Sequence, residues 1–193
     1  MKAIHYFLVE VIEDYNNYEE LDNGLKVLVN NTIETVENVN RTGTVVSAPK
    51  GTKAEKGDTL LFHHNICRKA YGFKGRKEIS PFQIKPNLYY VPVTEIFMMK
   101  KPEGGWQSID PFVFIEPIKA ETMLLDNGLE VLETEYKGNV ESVGKIAFIN
   151  SYLKGLGLKE GDTVAFEEDS EHEYEIDGKI YYKMQTKDIL ALY

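Results

Sequence analysis

The phrase Leu21-Asp22-Asn23-Gly24-Leu25-Lys26-Val27-Leu28-Val29 occurs twice in this chain. Leu125-Asp126-Asn127-Gly128-Leu129-Glu130-Val131-Leu132-Glu133 repeats it 104 residues later with two residues changed. Internal repetition constrains a fold more than any single motif, because each repeat must then be a structural unit of its own. The neighbouring segments repeat in the same order. Residues 112–116 answer 7–10, and Val140-Glu141-Ser142-Val143 answers Val36-Glu37-Asn38-Val39. Gly144-Lys145-Ile146 answers Gly43-Thr44-Val45, residues 161–166 answer 57–62, and residues 182–190 answer 89–97. The offsets, between 93 and 106, drift only as small insertions would shift them. At 193 residues the chain has room for two such units, each near the usual domain size of about 100 residues. The expected organisation is a first domain at 1–101, a linker at 102–109 marked by Pro102 and the Gly104-Gly105 pair, and a second domain at 110–193.

Within each repeat the apolar pattern is that of short strands. Residues 4–12 are rich in β-branched and aromatic residues, and Asn23-Gly24 is a strong turn signal. Gly57-Asp58 and Gly161-Asp162 each enter an alternating strand, with Leu60, Phe62, Val164 and Phe166 expected to face the core. Burial of each would contribute roughly 1.5–3 kcal/mol. A period of 3.6 is almost absent; residues 149–156 and the turn at 186–190 are the helix-like pieces. The fold class expected is all-β, with one small sandwich or barrel per repeat.

The order of features in each repeat resembles the GroES-type co-chaperonin family. Lys159-Glu160-Gly161-Asp162-Thr163-Val164-Ala165-Phe166 is similar to that family's Lys-x-Gly-Asp-x-Val-x-Phe strand. Thr186-Lys187-Asp188-Ile189-Leu190-Ala191 is similar to its closing segment. The first repeat carries Glu55-Lys56-Gly57-Asp58-Thr59-Leu60-Leu61-Phe62 and a degraded closing segment, Thr94-Glu95-Ile96-Phe97. The resemblance implies two tandem GroES-like small β-barrels. It also implies that the repeated phrase lies in a loop that is disordered when free and orders on docking into a groove of a chaperonin ring. The docking positions implied are Leu25, Val27 and Leu28, with Leu129, Val131 and Leu132. The same residues, alternating with good β-propensity, also read as strands of the barrel wall. A segment that folds on binding loses conformational entropy at that step, and several loops on one ring offset this through effective concentration.

The sequence departs from the family in two places. Lys26 and Glu130 interrupt an apolar triplet that is continuous in the family. The hairpin that would form a roof is shortened to residues 47–56 and 150–160, as in some phage-encoded relatives.

Composition narrows the function. The net charge of -9 is uneven: residues 1–101 carry 14 Lys+Arg against 12 Asp+Glu, and residues 102–193 carry 8 against 19. An acidic half disfavours a nucleic-acid backbone as partner. The stretch Arg68-Lys69-Ala70-Tyr71-Gly72-Phe73-Lys74-Gly75-Arg76-Lys77 is basic and aromatic, and alone could bind a single strand. Its counterpart at 167–177 has seven acids in eleven residues, so the two loops either stand solvated and independent or set barrel order by opposite charge.

His63, His64 and Cys67 are close together, but no second cluster completes a metal site, and no metal or cofactor is expected. Gly155-Leu156-Gly157-Leu158 precedes a strand rather than opening a helix, so it lacks the context of a dinucleotide loop. No catalytic constellation stands out, and an enzyme is not expected. A single cysteine, no apolar run of bilayer length and no signal-like start point to the cytoplasm, that of a host cell if the protein is phage-encoded.

The function expected is that of a homo-oligomeric co-chaperonin which caps a chaperonin ring and assists ATP-dependent folding. The alternative is a structural, virion or scaffold barrel that reuses the fold, since fold similarity alone does not establish function.

Overall fold

The computed structural model describes residues 1–12, 18–20, 25–28, 39–69, 79–120, 122–124, 130–132, 135–136 and 139–193. The chain divides into two compact units, Met1–Trp106 and Gln107–Tyr193. The first half contains strands β1 (Phe7–Glu10), β2 (Tyr18–Glu20), β3 (Lys26–Leu28), β4 (Thr42–Ser47), β5 (Thr59–Phe62), β6 (Gln83–Lys85), β7 (Leu88–Val91), β8 (Ile96–Lys100) and β9 (Trp106–Ser108). The second contains β10 (Phe112–Lys119), β11 (Thr122–Leu124), β12 (Glu130–Leu132), β13 (Glu135–Tyr136), β14 (Asn139–Phe148), helix α1 (Ser151–Gly155), β15 (Thr163–Phe166), β16 (His172–Ile176), β17 (Lys179–Gln185) and β18 (Ile189–Leu192). The all-β expectation is borne out.

The strand order is the same in both units. The first sheet runs β6-β7-β1-β4-β5-β8-β9, and the second runs β16-β17-β10-β14-β15-β18, with β13 pairing on β14. Register shifts fall at matching places. One lies between Leu8 and Val9 on β1 and between Phe114 and Ile115 on β10, each against the strand that follows in the sheet. Another lies between Leu61 and Phe62 on β5 and between Ala165 and Phe166 on β15. Such irregularities add local bend and twist, which is how a short sheet curls around its own core.

The Gly-Asp pairs explain themselves as turns. Gly57 and Gly161 sit at φ +96° and +91°, a region that only glycine enters without steric cost. Each donates its N–H to the preceding strand, Gly57 to the Val45 carbonyl and Gly161 to that of Ile146, both at 2.8 Å. Each aspartate closes the turn by accepting a backbone N–H: Asp58 from Glu55 at 2.7 Å and Asp162 from Lys159 at 2.9 Å. Asp58 is buried and also pairs with the Lys101 ammonium at 2.8 Å. That hydrogen bond, ahead of burial, which opposes it, and of the attraction to Asp58 and Glu55, holds the Lys101 pKa above its ordinary value.

The four residues expected at the core are there: Leu60, Phe62, Val164 and Phe166 are all 2% exposed or less. In the second unit Val164 and Phe166 pack with Val113, Ile115, Ile146, Tyr182 and Met184, and helix α1 closes the cluster with Leu153. Asn150 positions that helix. Its Oδ1 accepts the Leu153 N–H, and its Nδ2 donates to the Phe112 carbonyl at 2.9 Å and to Thr186 Oγ1 at 2.7 Å. Among the described residues, no strand pair stands between β4 and β5 or between β14 and β15, where a roof hairpin would lie.

Two stretches differ from their sequence reading. Residues 102–109, marked as a linker, include β9, which forms the edge of the first sheet beside β8. Residues 167–177, read as an acidic loop, include β16. There the acids take the solvent side, while Tyr174 and Ile176 alternate inward at 6% and 5% exposure.

Candidate docking surface

Three residues of each copy of the repeated phrase, 26–28 and 130–132, form one strand of a two-stranded ribbon. β2 pairs antiparallel with β3, with Tyr18 opposite Leu28, Glu19 opposite Val27 and Glu20 opposite Lys26. β11 pairs with β12, with Thr122 opposite Leu132, Met123 opposite Val131 and Leu124 opposite Glu130. Every position in the second ribbon is 104 residues beyond its counterpart in the first, so the sequence repeat is kept in the register. Each ribbon is a separate sheet from the seven-stranded ones. Within the described residues the phrase is strand at 26–28 and 130–132, and these strands belong to neither main sheet. An isolated two-stranded ribbon is marginal at best in water, because nothing else shares the cost of ordering it.

Of the six expected docking positions, Val27 and Leu28 lie in β3, and Val131 and Leu132 lie in β12. Leu25 immediately precedes β3 and is 59% exposed. Leu129 lies outside the described residues, as do the two Asn-Gly turns.

The histidine pair has a structural part. His63 caps the 3₁₀ turn His64–Ile66, its Nδ1 accepting the Asn65 N–H at 3.1 Å. The two imidazoles stack with centroids 4.2 Å apart, and His63 also meets Phe97 edge-on. Burial, then the nearby His63, Arg41 and Arg68, lower the His64 pKa to about 4. Cys67 is buried. Among the described residues, no group of three His, Cys, Asp or Glu side chains is placed to hold a metal. Arg68 and Lys69 are described, whereas the rest of the basic stretch, 70–77, lies outside the described residues.

Gly157 is a helix stop. It sits at φ +92°, its N–H donates to the Lys154 carbonyl, and the Leu158 N–H reaches back to Leu153. That is the Schellman arrangement at the end of α1.

One surface was not anticipated. Beside β18, a groove of about 970 Å³ is lined by Tyr152, Leu156, Leu158, Ile189, Leu190 and Leu192 among others. Tyr152, Leu156, Leu190 and Leu192 are each at least 60% exposed. Its signal in the sequence was the unbroken apolar run Ile189-Leu190-Ala191-Leu192-Tyr193, half of which a two-faced edge strand leaves in water.

A family model described as the chaperonin 10 kDa subunit (Cpn10) matches residues 128–193. The chain is 43% identical over 56 residues to the co-chaperonin GroES of Aquifex aeolicus (strain VF5), a stretch that is 28% of this chain and 46% of that protein. The match thus spans about half the length of the relative. The GroES-type resemblance read from the closing motifs stands for the second unit. No helix among the described residues is long and apolar enough to cross a membrane.

Proposed function

We propose that this chain is a co-chaperonin: a non-enzymatic, homo-oligomeric lid that caps a GroEL-type chaperonin ring and assists ATP-dependent folding. The observation that carries this reading is the Cpn10 match over residues 128–193, because the matched stretch contains β12, with Val131 and Leu132 of the second copy of the phrase. The ribbons are the docking elements in this reading, and Leu25, Val27, Leu28, Leu129, Val131 and Leu132 are the residues that enter the partner's groove. Several features support it. Each ribbon pairs only with itself among the described residues, so rearranging it on docking leaves the main sheets intact. The apolar positions of the phrase occur twice per chain, which multiplies contacts without requiring a tight single site. A partner of this kind places the protein in the cytoplasm, that of a host if it is phage-encoded. The scaffold-barrel reading has no observation in its favour.

The experiment is refolding of a stringent client by a GroEL-type ring with ATP, with and without this protein. Recovery of folded client that requires this protein, together with a lowered chaperonin ATPase, is the expected result. A ring whose ATPase and client yield are the same with and without it would overturn the reading.

A further inference from the structure

The second ribbon is joined to its sheet by short links. Residues 120–121 separate β10 from β11, and residues 133–134 separate β12 from β13, which pairs on β14. In the first unit, residues 11–17 separate β1 from β2, and 29–41 separate β3 from β4, the next described strand. A two-residue link lets the first residue of one strand lie at most about 11 Å from the last residue of the strand before it. In the second unit, whatever fixes the end of the sheet therefore limits where the ribbon can stand.

Both links return to Asn139. It pairs with Lys119 at the end of β10 and, on its other side, with Tyr136 of β13. The β10–β14 ladder reaches it across a register shift between Pro117 and Lys119, with Ser142 of β14 at φ +55°. Such a shift interrupts the ladder and bends the strands. A side chain holds the end beyond the bend: Asn139 Nδ2 donates to Tyr182 Oη at 3.0 Å. Tyr182 is on β17, is 3% exposed, and meets Phe166 edge-on within the core cluster. A ring packed in a core keeps its hydroxyl in one place, so the bond ties Asn139 to the most rigid part of the unit. The first unit has the same two residue types. Tyr89 answers Tyr182, and counting back from Gly43 as from Gly144 sets Asn38 against Asn139. Asn38 lies outside the described residues.

We propose that Asn139 and Tyr182 are positioning residues for docking: the bond between them pins the root of the second ribbon to the core, so that the ribbon meets a chaperonin ring in a fixed orientation. This rests on the co-chaperonin reading and names the residues that set one of its docking elements. A root without the bond gives the free ribbon conformational freedom that docking must then remove, which weakens binding.

The test compares wild type with Tyr182→Phe, which removes the hydroxyl and keeps the ring, with Asn139→Ala, and with the double variant. In titrations of a GroEL-type ring with ATP, each single variant should bind about tenfold more weakly, the factor for ordering roughly one further residue of backbone. The double variant should bind no more weakly than either single one, because both changes remove the same bond. Amide hydrogen exchange of the free proteins should be faster at Lys119, Asn139 and Val140 in the variants and unchanged along β15. A bond that only stabilised the fold would lower the urea midpoint and leave ring affinity and root exchange as they were. Single variants that bind as tightly as wild type, a double variant whose loss is the product of the two single losses, or unchanged exchange at the root would each overturn the proposal and spare the co-chaperonin reading. A wild type that does not bind the ring would overturn that reading, and this proposal with it.

Discussion

Gly43 and Gly144 lie in corresponding strands, β4 and β14, and each lies against its neighbour with no room for a side chain. A Cβ on Gly43 would stand 2.5 Å from Val9 Cγ1 and 2.8 Å from the Glu10 carbonyl oxygen; on Gly144 it would meet Ile115 Cγ2 and the Glu116 carbonyl oxygen, the latter at 2.9 Å. The backbone oxygen cannot rotate away, so Gly43→Ala and Gly144→Ala should each cost about 1–3 kcal/mol, read as a lower urea midpoint at unchanged slope. Asn150 is fully buried and serves three partners at once. Asn150→Ala removes a helix cap and one of the two donors on the Phe112 carbonyl, the other being Ser108 Oγ, and should cost about 1–3 kcal/mol in the same measurement. His64 gives a pH dependence with a definite sign. Its folded pKa of about 4 lies below the ordinary 6.5, so between these values the unfolded chain takes up a proton that the folded chain refuses. Stability should therefore fall as pH drops from 6.5 to 4 and level off below that. The slope should be shallow, because the ring is only partly buried, and His64→Gln should flatten it.

At the scale of elements, the strands easiest to read were those bounded by glycine. Gly57-Asp58 and Gly161-Asp162 demand a positive φ followed by a turn closed on a carboxylate, and the sequence shows both residue types in place. β9 was hidden because three residues at a sheet edge, next to Pro102 and Gly104-Gly105, carry a turn signal stronger than their strand signal. β16 was hidden by its charge, although Tyr174 and Ile176 keep period two beneath it. The repeated phrase left two readings open, loop and barrel strand, because β-propensity does not say which partner a strand will take. The register bears on three residues of each copy: 26–28 and 130–132 are strand, in ribbons apart from the main sheets. Replacing Leu25, Val27, Leu28, Leu129, Val131 and Leu132 with Ser should then change the unfolding free energy of the main sheets by less than about 0.5 kcal/mol. A larger loss in urea unfolding would show that the phrase belongs to the core.

For the whole molecule, the repeat is the organising fact. Two units share a strand order, matching register shifts and matching turns, while the family match reaches only the second. The second unit holds its own core cluster, from Val113 to Met184, so a chain of residues 105–193 should fold alone with a cooperative thermal transition. Half of the candidate docking surface was legible, since repetition marks a phrase as important wherever it sits. The β18 groove was not, because only the strand order shows that, among the described residues, one unit has a covered edge and its twin an unpaired one. The central claim is that the ribbons dock this protein onto a chaperonin ring. Sedimentation of a GroEL-type ring with ATP, mixed with wild type or with the six-serine variant, tests it most directly. The account predicts that wild type co-sediments with the ring and that the variant, still folded, remains free. Equal co-sedimentation of both, or of neither, would contradict it.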